Sequence, residues 1–251
     1  MSDPTSAPRA RVFFVAGATG YVGRSTVGAA AATPGVRAVA HVRPDSPTLA
    51  TWRTRFAALG DAALGVAVDA TPWNEDAMAA TLARLRPAAI FALLGTTRRR
   101  GASSGDTYES VDYGLTALLF RAAVRAARTT PADPPPRFVY LSALGANARS
   151  RTAYVAVRGR FEDELRAGPL PWTIVRPSFI TGPDREESRP MERVGAAVVD
   201  ALARPVGMLG ARRVADRYRS ITGSALAAAL VRLADDPRAA GSVLESDALR
   251  G

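Results

Sequence analysis

Gly17, Gly20 and Gly23 stand where a hydrophobic run meets an alanine-rich one, a spacing suited to gripping a diphosphate. The run Val12-Phe13-Phe14-Val15 reads as a buried strand, and residues 24–32 read as a helix stopped by Pro34-Gly35. A strand that breaks through a glycine turn into a helix gathers backbone N–H groups and the positive end of the helix at one point. Glycine is needed there because a side chain would obstruct either the ligand or the helix as it settles on the strand. Gly17, Thr19, Gly20, Tyr21, Val22, Gly23 and Arg24 are therefore the candidate contacts to a dinucleotide.

The second hydrophobic run ends at His41-Val42-Arg43-Pro44, where a dinucleotide's adenosine ribose would be read. An acidic residue at that place binds the ribose hydroxyls, whereas arginine favours a 2′-phosphate. Here the residue is Arg43, the first acid comes only at Asp45, and Arg24 offers a second fork of donors. The expected cofactor is NADP rather than NAD. His41 reads as a strand-end residue without a catalytic part. Asp69, closing the third run, is a candidate contact to the adenine or else a turn residue. Gly95 and Thr96, closing the fourth, are expected along the ribose-phosphate edge. Tyr154 and Arg158 are one helical turn apart and share a face.

These residues need strands and helices in alternation to bring them together. Strands are expected over 36–42, 65–69, 88–94, 137–141 and 172–175, with helices over 48–59, 74–85, 108–127 and 154–165. The proline-rich stretch 131–136 is stiff and non-helical. The alternation implies an α/β, doubly wound parallel sheet of Rossmann type, with ligands at the carboxyl ends of the strands. Residues 180–220 read as an irregular stretch with one helix at 191–202 and form the expected small C-terminal substrate lobe. A helix over 224–233 and a short edge strand over 242–244 close the chain, after a disordered lead-in at 1–10. The whole reads as a single domain over 11–251.

Composition narrows the function. The chain has 251 residues, 47% of them hydrophobic, which suffices for one sizeable core. The absence of cysteine removes disulfide and thiolate chemistry and suits a reducing cytoplasm, so a cytoplasmic location is expected. No apolar run approaches the roughly 18–20 residues of a membrane span. The net charge is +10 and all 33 basic residues are arginine, without one lysine. The aromatics do not interleave with the arginines, so no base-stacking platform is suggested and no nucleic acid is expected. Gly101-Ala102-Ser103-Ser104-Gly105 matches the hydrolase pattern, but three arginines separate it from the preceding strand and the single histidine lies upstream. One histidine without cysteine excludes the common zinc constellations, and the glycines lack the Gly-Lys-Ser/Thr ending of a phosphoryl-transfer loop.

Gly17-x-x-Gly20-x-x-Gly23, Leu141-Ser142, Tyr154-x-x-x-Arg158 and Arg176-Pro177-Ser178 together resemble the atypical branch of the short-chain dehydrogenase/reductase superfamily. The phrase Asp184-Arg185-Glu186-Glu187-Ser188-Arg189-Pro190 is similar to one in its Tat-interactive-protein-like group. The resemblance runs over residues 11–245 and implies an NADP-binding reductase. It assigns the proton-transferring tyrosine to Tyr154, the serine holding the substrate carbonyl to Ser142, and the ribose-binding lysine to the position of Arg158. It also implies that Pro177, Ser178 and Phe179 close on the nicotinamide carboxamide.

Arginine at 158 is the departure. Its permanent charge can bind ribose hydroxyls and favour a tyrosinate, but it cannot pass on a proton as lysine can. The expectation is therefore an NADP-dependent oxidoreductase acting on a small-molecule carbonyl or alcohol. A catalytically weak NADP-binding regulator is the alternative, with a homodimer or a protein partner left open.

Overall fold

The computed structural model describes residues 10–59, 64–96, 105–181, 220–246 and 248–249. Seven strands form one parallel sheet: β1 (Arg11–Ala16), β2 (Val36–His41), β3 (Val66–Asp69), β4 (Ala89–Ala92), β5 (Arg137–Leu141), β6 (Trp172–Arg176) and, as the seventh in sheet order, the C-terminal Ser242–Glu245. The strand order is β3-β2-β1-β4-β5-β6 followed by Ser242–Glu245. The order reverses direction between β1 and β4, and a doubly wound sheet binds its ligand in the crevice at that reversal. The fold is the expected Rossmann-type α/β arrangement. The expected lobe at 180–220 and its helix at 191–202 fall almost wholly outside the described residues, as do the phrase at 184–190 and the serine loop at 101–104.

Both faces of the sheet are covered, so its strands carry unbroken apolar runs instead of alternation. In β1, Phe13, Phe14, Val15 and Ala16 are all fully buried. Phe13 and Val15 join Val27 and Ala30 of α1 (Tyr21–Ala31) and Leu226 and Leu230 of the helix Gly223–Asp235 on one face. Phe14 and Ala16 face Met78 and Leu82 of α3 (Glu75–Leu85) and Leu119 of α4 (Thr116–Thr129) on the other. There Phe120, Phe138, Tyr140 and Phe161 meet edge to face or tilted, with ring centroids 4.6–6.1 Å apart. The remaining helices are α2 (Leu49–Ala57) and α5 (Ala153–Ala167); Gly223–Asp235 is α6.

One element departs from the sequence pattern. The helix expected over 108–127 opens as a π-helical turn, Tyr108–Leu115, before α4 takes over. Thr107 and Ser110 cap it reciprocally, side chain to backbone at 2.9 Å each way. Two short strands, β7 (Ile180–Thr181) and β8 (Ile221–Thr222), pair in parallel beside the main sheet, and the C-terminal strand Ser242–Glu245 is β9.

Candidate functional site

The glycine corner sits at the carboxyl end of β1, and its three glycines are required for different reasons. Gly17 has a φ of +81°, and a Cβ on it would lie 2.6 Å from the Leu93 carbonyl oxygen. A Cβ on Gly23 would lie 2.0 Å from the Gly17 oxygen. Both positions are demanded by the protein's own backbone. Gly20 differs: it is exposed, its φ of −72° suits any residue, and a Cβ would meet only the Gly17 oxygen, at 3.2 Å. Gly20 is the N-cap of α1, with no side chain capping the helix, so the positive end of α1 faces outward beside it. A diphosphate fits this cradle by charge and by shape.

Around the corner, Val22 is buried while Thr19 and Arg24 are half-buried. Tyr21 reaches away from the cradle: its hydroxyl donates to the Thr181 carbonyl at 3.1 Å, and its ring lies where a Cβ on Gly223 would be, 2.5 Å from Cε1. Arg43 is half-exposed beyond β2 and meets Asp45 at 3.9 Å. Beside it, His41 is buried, its Nε2 is 2.8 Å from the Thr71 carbonyl, and its ring packs edge-on to Trp73 at 4.7 Å. Burial lowers its pKa, opposed by the Thr71 bond and by Asp69. The Asp69 carboxylate is used locally, accepting from the Thr71 amide at 3.0 Å and the Thr71 hydroxyl at 3.1 Å. Such bonds are those of a turn residue.

At the ends of β4 and β5 the structure brings together residues that the sequence kept apart. Arg158 is 4% exposed and Asp112 fully buried, with Nη2 and Oδ1 2.5 Å apart. Nη2 also donates to the Leu94 carbonyl at 2.9 Å, and Nη1 to the Leu141 carbonyl. The second Asp112 oxygen accepts the Thr96 amide at 2.9 Å. Gly95 is required here because a Cβ would lie 2.9 Å from Nη2 of Arg158. Both terminal nitrogens of Arg158, which the resemblance would offer to a ribose, are hydrogen-bonded to the protein. Only its buried Nε has no partner among the described residues.

Tyr154, half-buried, lies one turn earlier on α5, with the Arg158 guanidinium carbon 5.3 Å from its ring centre and the Tyr108 ring 5.3 Å away. Tyr140 flanks the same guanidinium at 5.6 Å, and burial pushes its phenol up to about 12 against the pull of Arg158. Burial alone would lower the Arg158 pKa, but Tyr140, Tyr154 and Asp112 outweigh it and hold the arginine charged.

Ser142 is 3% exposed, and its hydroxyl donates to Glu162 at 2.5 Å. Glu162 is buried and also accepts from Arg176, at 2.9 and 2.5 Å, and from Arg166 at 2.7 Å. The Glu162 hydrogen bond holds the Arg176 pKa above its ordinary value. The expected serine is thus at the carboxyl end of β5 but hydrogen-bonded inward. Holding a substrate carbonyl would require it to leave Glu162. Beyond β6, the Pro177 carbonyl accepts the Leu144 amide at 3.3 Å, the Ser178 amide donates to Ser246 at 2.7 Å, and the Phe179 carbonyl accepts the Ile221 amide at 2.8 Å. These three residues tie β6 to the β5 exit, to the segment after β9 and to β8.

Asp112, Glu162 and Gly159 were absent from the expectations. A Cβ on Gly159 would lie 2.2 Å from the Ala148 amide, so this glycine lets α5 lie directly on the loop after β5. A glycine inside a helical pattern is the signal that could have found it.

Comparison with known proteins agrees with this geometry. A protein-family model described as NAD(P)H-binding matches residues 17–205. Among curated proteins, the mitochondrial FMP52 of Aspergillus fumigatus is 32% identical over 181 residues, 70% of this chain and 69% of that one. The mitochondrial FMP52-1 of Scheffersomyces stipitis is 37% identical over 102 residues, so the chain spans only 41% of that relative. Among solved structures, a 3-oxoacyl-[acyl-carrier protein] reductase from Brucella melitensis superposes with a TM-score of 0.63 at 18% identity, over 98% of each chain. The terminal R domain of the myxalamid biosynthetic pathway gives 0.61 at 17% identity, over 95% of this chain and 66% of that one. Likeness at these identities is one of fold. The relatives' names overturn the cytoplasmic expectation, since they are mitochondrial. A chain without cysteine is compatible with any compartment, so its composition could not make this distinction. Among the described residues no helix is long and apolar enough to cross a membrane.

Proposed function

From a chain that belongs to the NAD(P)H-binding family, with the short-chain reductase fold, we propose an NADP-dependent oxidoreductase acting on a small carbonyl or alcohol. The observation that carries this reading is Tyr154, half-buried at the carboxyl end of the sheet with a fixed cation 5.3 Å from its ring. Gly20 and the uncapped start of α1 would hold the diphosphate, while Gly95 and Thr96 would border the ribose. Arg43 and Arg24 favour a 2′-phosphate, with Asp45, 3.9 Å from Arg43, competing for it. When bound, the cofactor supplies or accepts the hydride.

The chain's own residues handle the proton. The Tyr154 phenol donates to the carbonyl oxygen as it becomes an alkoxide, and takes the proton back in the reverse direction. Arg158 fixes the charge near the phenol without relaying protons, because it stays protonated and its terminal nitrogens are occupied. The phenol is therefore recharged from solvent on its exposed side.

The test is NADPH consumption across a panel of small carbonyls, with Tyr154→Phe as control. Loss of turnover with cofactor binding retained is expected, and a variant as fast as the parent refutes the role. Arg43→Glu should weaken NADPH at least tenfold while leaving NADH unchanged, read by fluorescence titration. Equal loss for both cofactors refutes the 2′-phosphate assignment. A second reading, an NADP-binding protein without turnover, is favoured by the Ser142–Glu162 bond of 2.5 Å, which withdraws the expected carbonyl donor. Tight NADPH binding with no consumption across the panel would establish it.

A further inference from the structure

Tyr108 opens the π-helical turn and has no part in the reading above, yet its ring lies against Tyr154. The two ring centres are 5.3 Å apart and the planes are tilted by 60°. Both residues are half-buried, so part of each ring stays open beside the other. The backbone on either side of Tyr108 is held. Thr107 and Ser110 cap the turn, and Glu109 makes a two-pronged ion pair with Arg160 of α5 at 2.8 and 3.0 Å. Arg160 also lies over the Tyr113 ring, 4.3 Å from its centre. The turn and α5 are thus tied together at the level of the two phenols, which fixes the spacing between them.

The polar groups closest to Tyr154 in the site are already committed. Arg158 is paired with Asp112, and the Ser142 hydroxyl is given to Glu162. What they leave to meet a substrate beside Tyr154 is ring surface. Aromatic faces and edges attract other flat π-systems, and one such contact is worth about two- to tenfold in affinity beyond the area it buries. A saturated chain of the same size gains only its burial, and an ionic group would lose hydration without finding a partner. We propose that Tyr108 and Tyr154 form an aromatic wall that selects substrates whose carbonyl or alcohol is carried on an aromatic ring. The proposal deepens the reductase reading and rests on Tyr154 standing beside the reacting carbonyl. Tyr108 is the specificity-determining residue in it, acting through its ring and not through its hydroxyl.

Two pairs of probes test it, each matching a flat ring with a saturated one of the same size. The first pair, benzamide and cyclohexanecarboxamide, needs no turnover, because an amide carbonyl is a poor hydride acceptor. Both are titrated into the NADPH-loaded protein and followed by ligand-observed NMR. Benzamide should bind at least about fivefold tighter in the parent and in Tyr108→Phe, and within about twofold of its saturated counterpart in Tyr108→Leu. Equal binding by the parent, or a preference that survives Tyr108→Leu, overturns the proposal. A preference lost in Tyr108→Phe belongs to the hydroxyl and overturns it too. The second pair is benzaldehyde and cyclohexanecarboxaldehyde as substrates. Tyr108→Leu should raise the KM of benzaldehyde about fivefold more than that of the saturated aldehyde. Amides that behave as expected while neither aldehyde consumes NADPH leave the wall standing and remove the reductase reading. Reduction of both aldehydes with neither the KM ratio nor the amide ratio altered by Tyr108→Leu leaves the reductase reading and removes the wall.

Discussion

Substituting alanine separately at Gly20 and Gly23 should divide ligand binding from folding. At Gly23 the new methyl would lie 2.0 Å from the Gly17 oxygen and 2.8 Å from its carbonyl carbon, both backbone atoms that cannot rotate away. Overpacking of this kind costs about 1–3 kcal/mol, and the rigid contact places Gly23→Ala at the upper end. Better helix propensity returns at most about 1 kcal/mol. At 2–4 °C per kcal/mol for a chain of this size, the melting temperature should drop by roughly 3–10 °C. At Gly20 the methyl would have one neighbour, 3.2 Å away, in a backbone conformation open to any residue. The loss of a glycine N-cap costs less than about 1 kcal/mol, so Gly20→Ala should melt within a few degrees of the parent. Its methyl instead stands over the open end of α1. A diphosphate kept even slightly off those N–H groups loses charge-assisted hydrogen bonds worth about 1.5–3 kcal/mol, a tenfold or greater loss of affinity. Thermal unfolding with and without NADPH reads both effects at once. Saturating cofactor should raise the parent by roughly 5–10 °C at a hundredfold excess over Kd, and Gly20→Ala by much less. A Gly20→Ala protein that binds NADPH like the parent would refute the cradle, and an unshifted Gly23→Ala would refute the packing argument.

Two further outcomes follow from the buried polar groups. Arg158→Lys cannot reach Asp112, Leu94 and Leu141 together, so it should cost about 2–4 kcal/mol in urea unfolding; unchanged stability would show that the guanidinium contacts carry no weight. His41 has a pKa below its ordinary value of 6.5 because burial disfavours the charged ring. The unfolded chain binds the extra proton first, so its contribution is complete above pH 6.5 and is lost as pH falls from there toward the folded value. His41→Gln should flatten the stability profile below pH 6.5, and an equally steep profile in the variant would contradict this.

The glycine corner, the alternation of strands and helices and the fold class were legible because they rest on local chemistry: an apolar run, a turn that only glycine permits, and a helix start. Residues 74–85 read correctly as a helix for the same reason, since Asn74 caps it and Pro87 follows it. The π-helical turn was not legible. Its residues continue a helical pattern without interruption, and the carboxylate it buries, Asp112, has its partner Arg158 46 positions away. Ser142 and Glu162 were equally opaque as a pair, because a strand end and a helix face 20 residues apart meet only after the sheet is assembled. Arg158 itself was legible in position but not in use. Its spacing from Tyr154 fixes the shared face, while its hydrogen bonds depend on carbonyls of two different strands.

Anchoring the ends of β4 and β5 on a guanidinium has a consequence for the range of conditions the protein withstands. An ammonium group there would shed its proton around pH 10.4 and release the carbonyls it held. A guanidinium keeps its proton through any alkalinity in which a polypeptide stays folded, so the grip of Arg158 on Leu94 and Leu141 has no basic endpoint. In this chain, which has 33 arginines and no lysine, the first group of that cluster to meet alkali is a phenol such as Tyr140, pushed up to about 12, and not the cation that holds the strands.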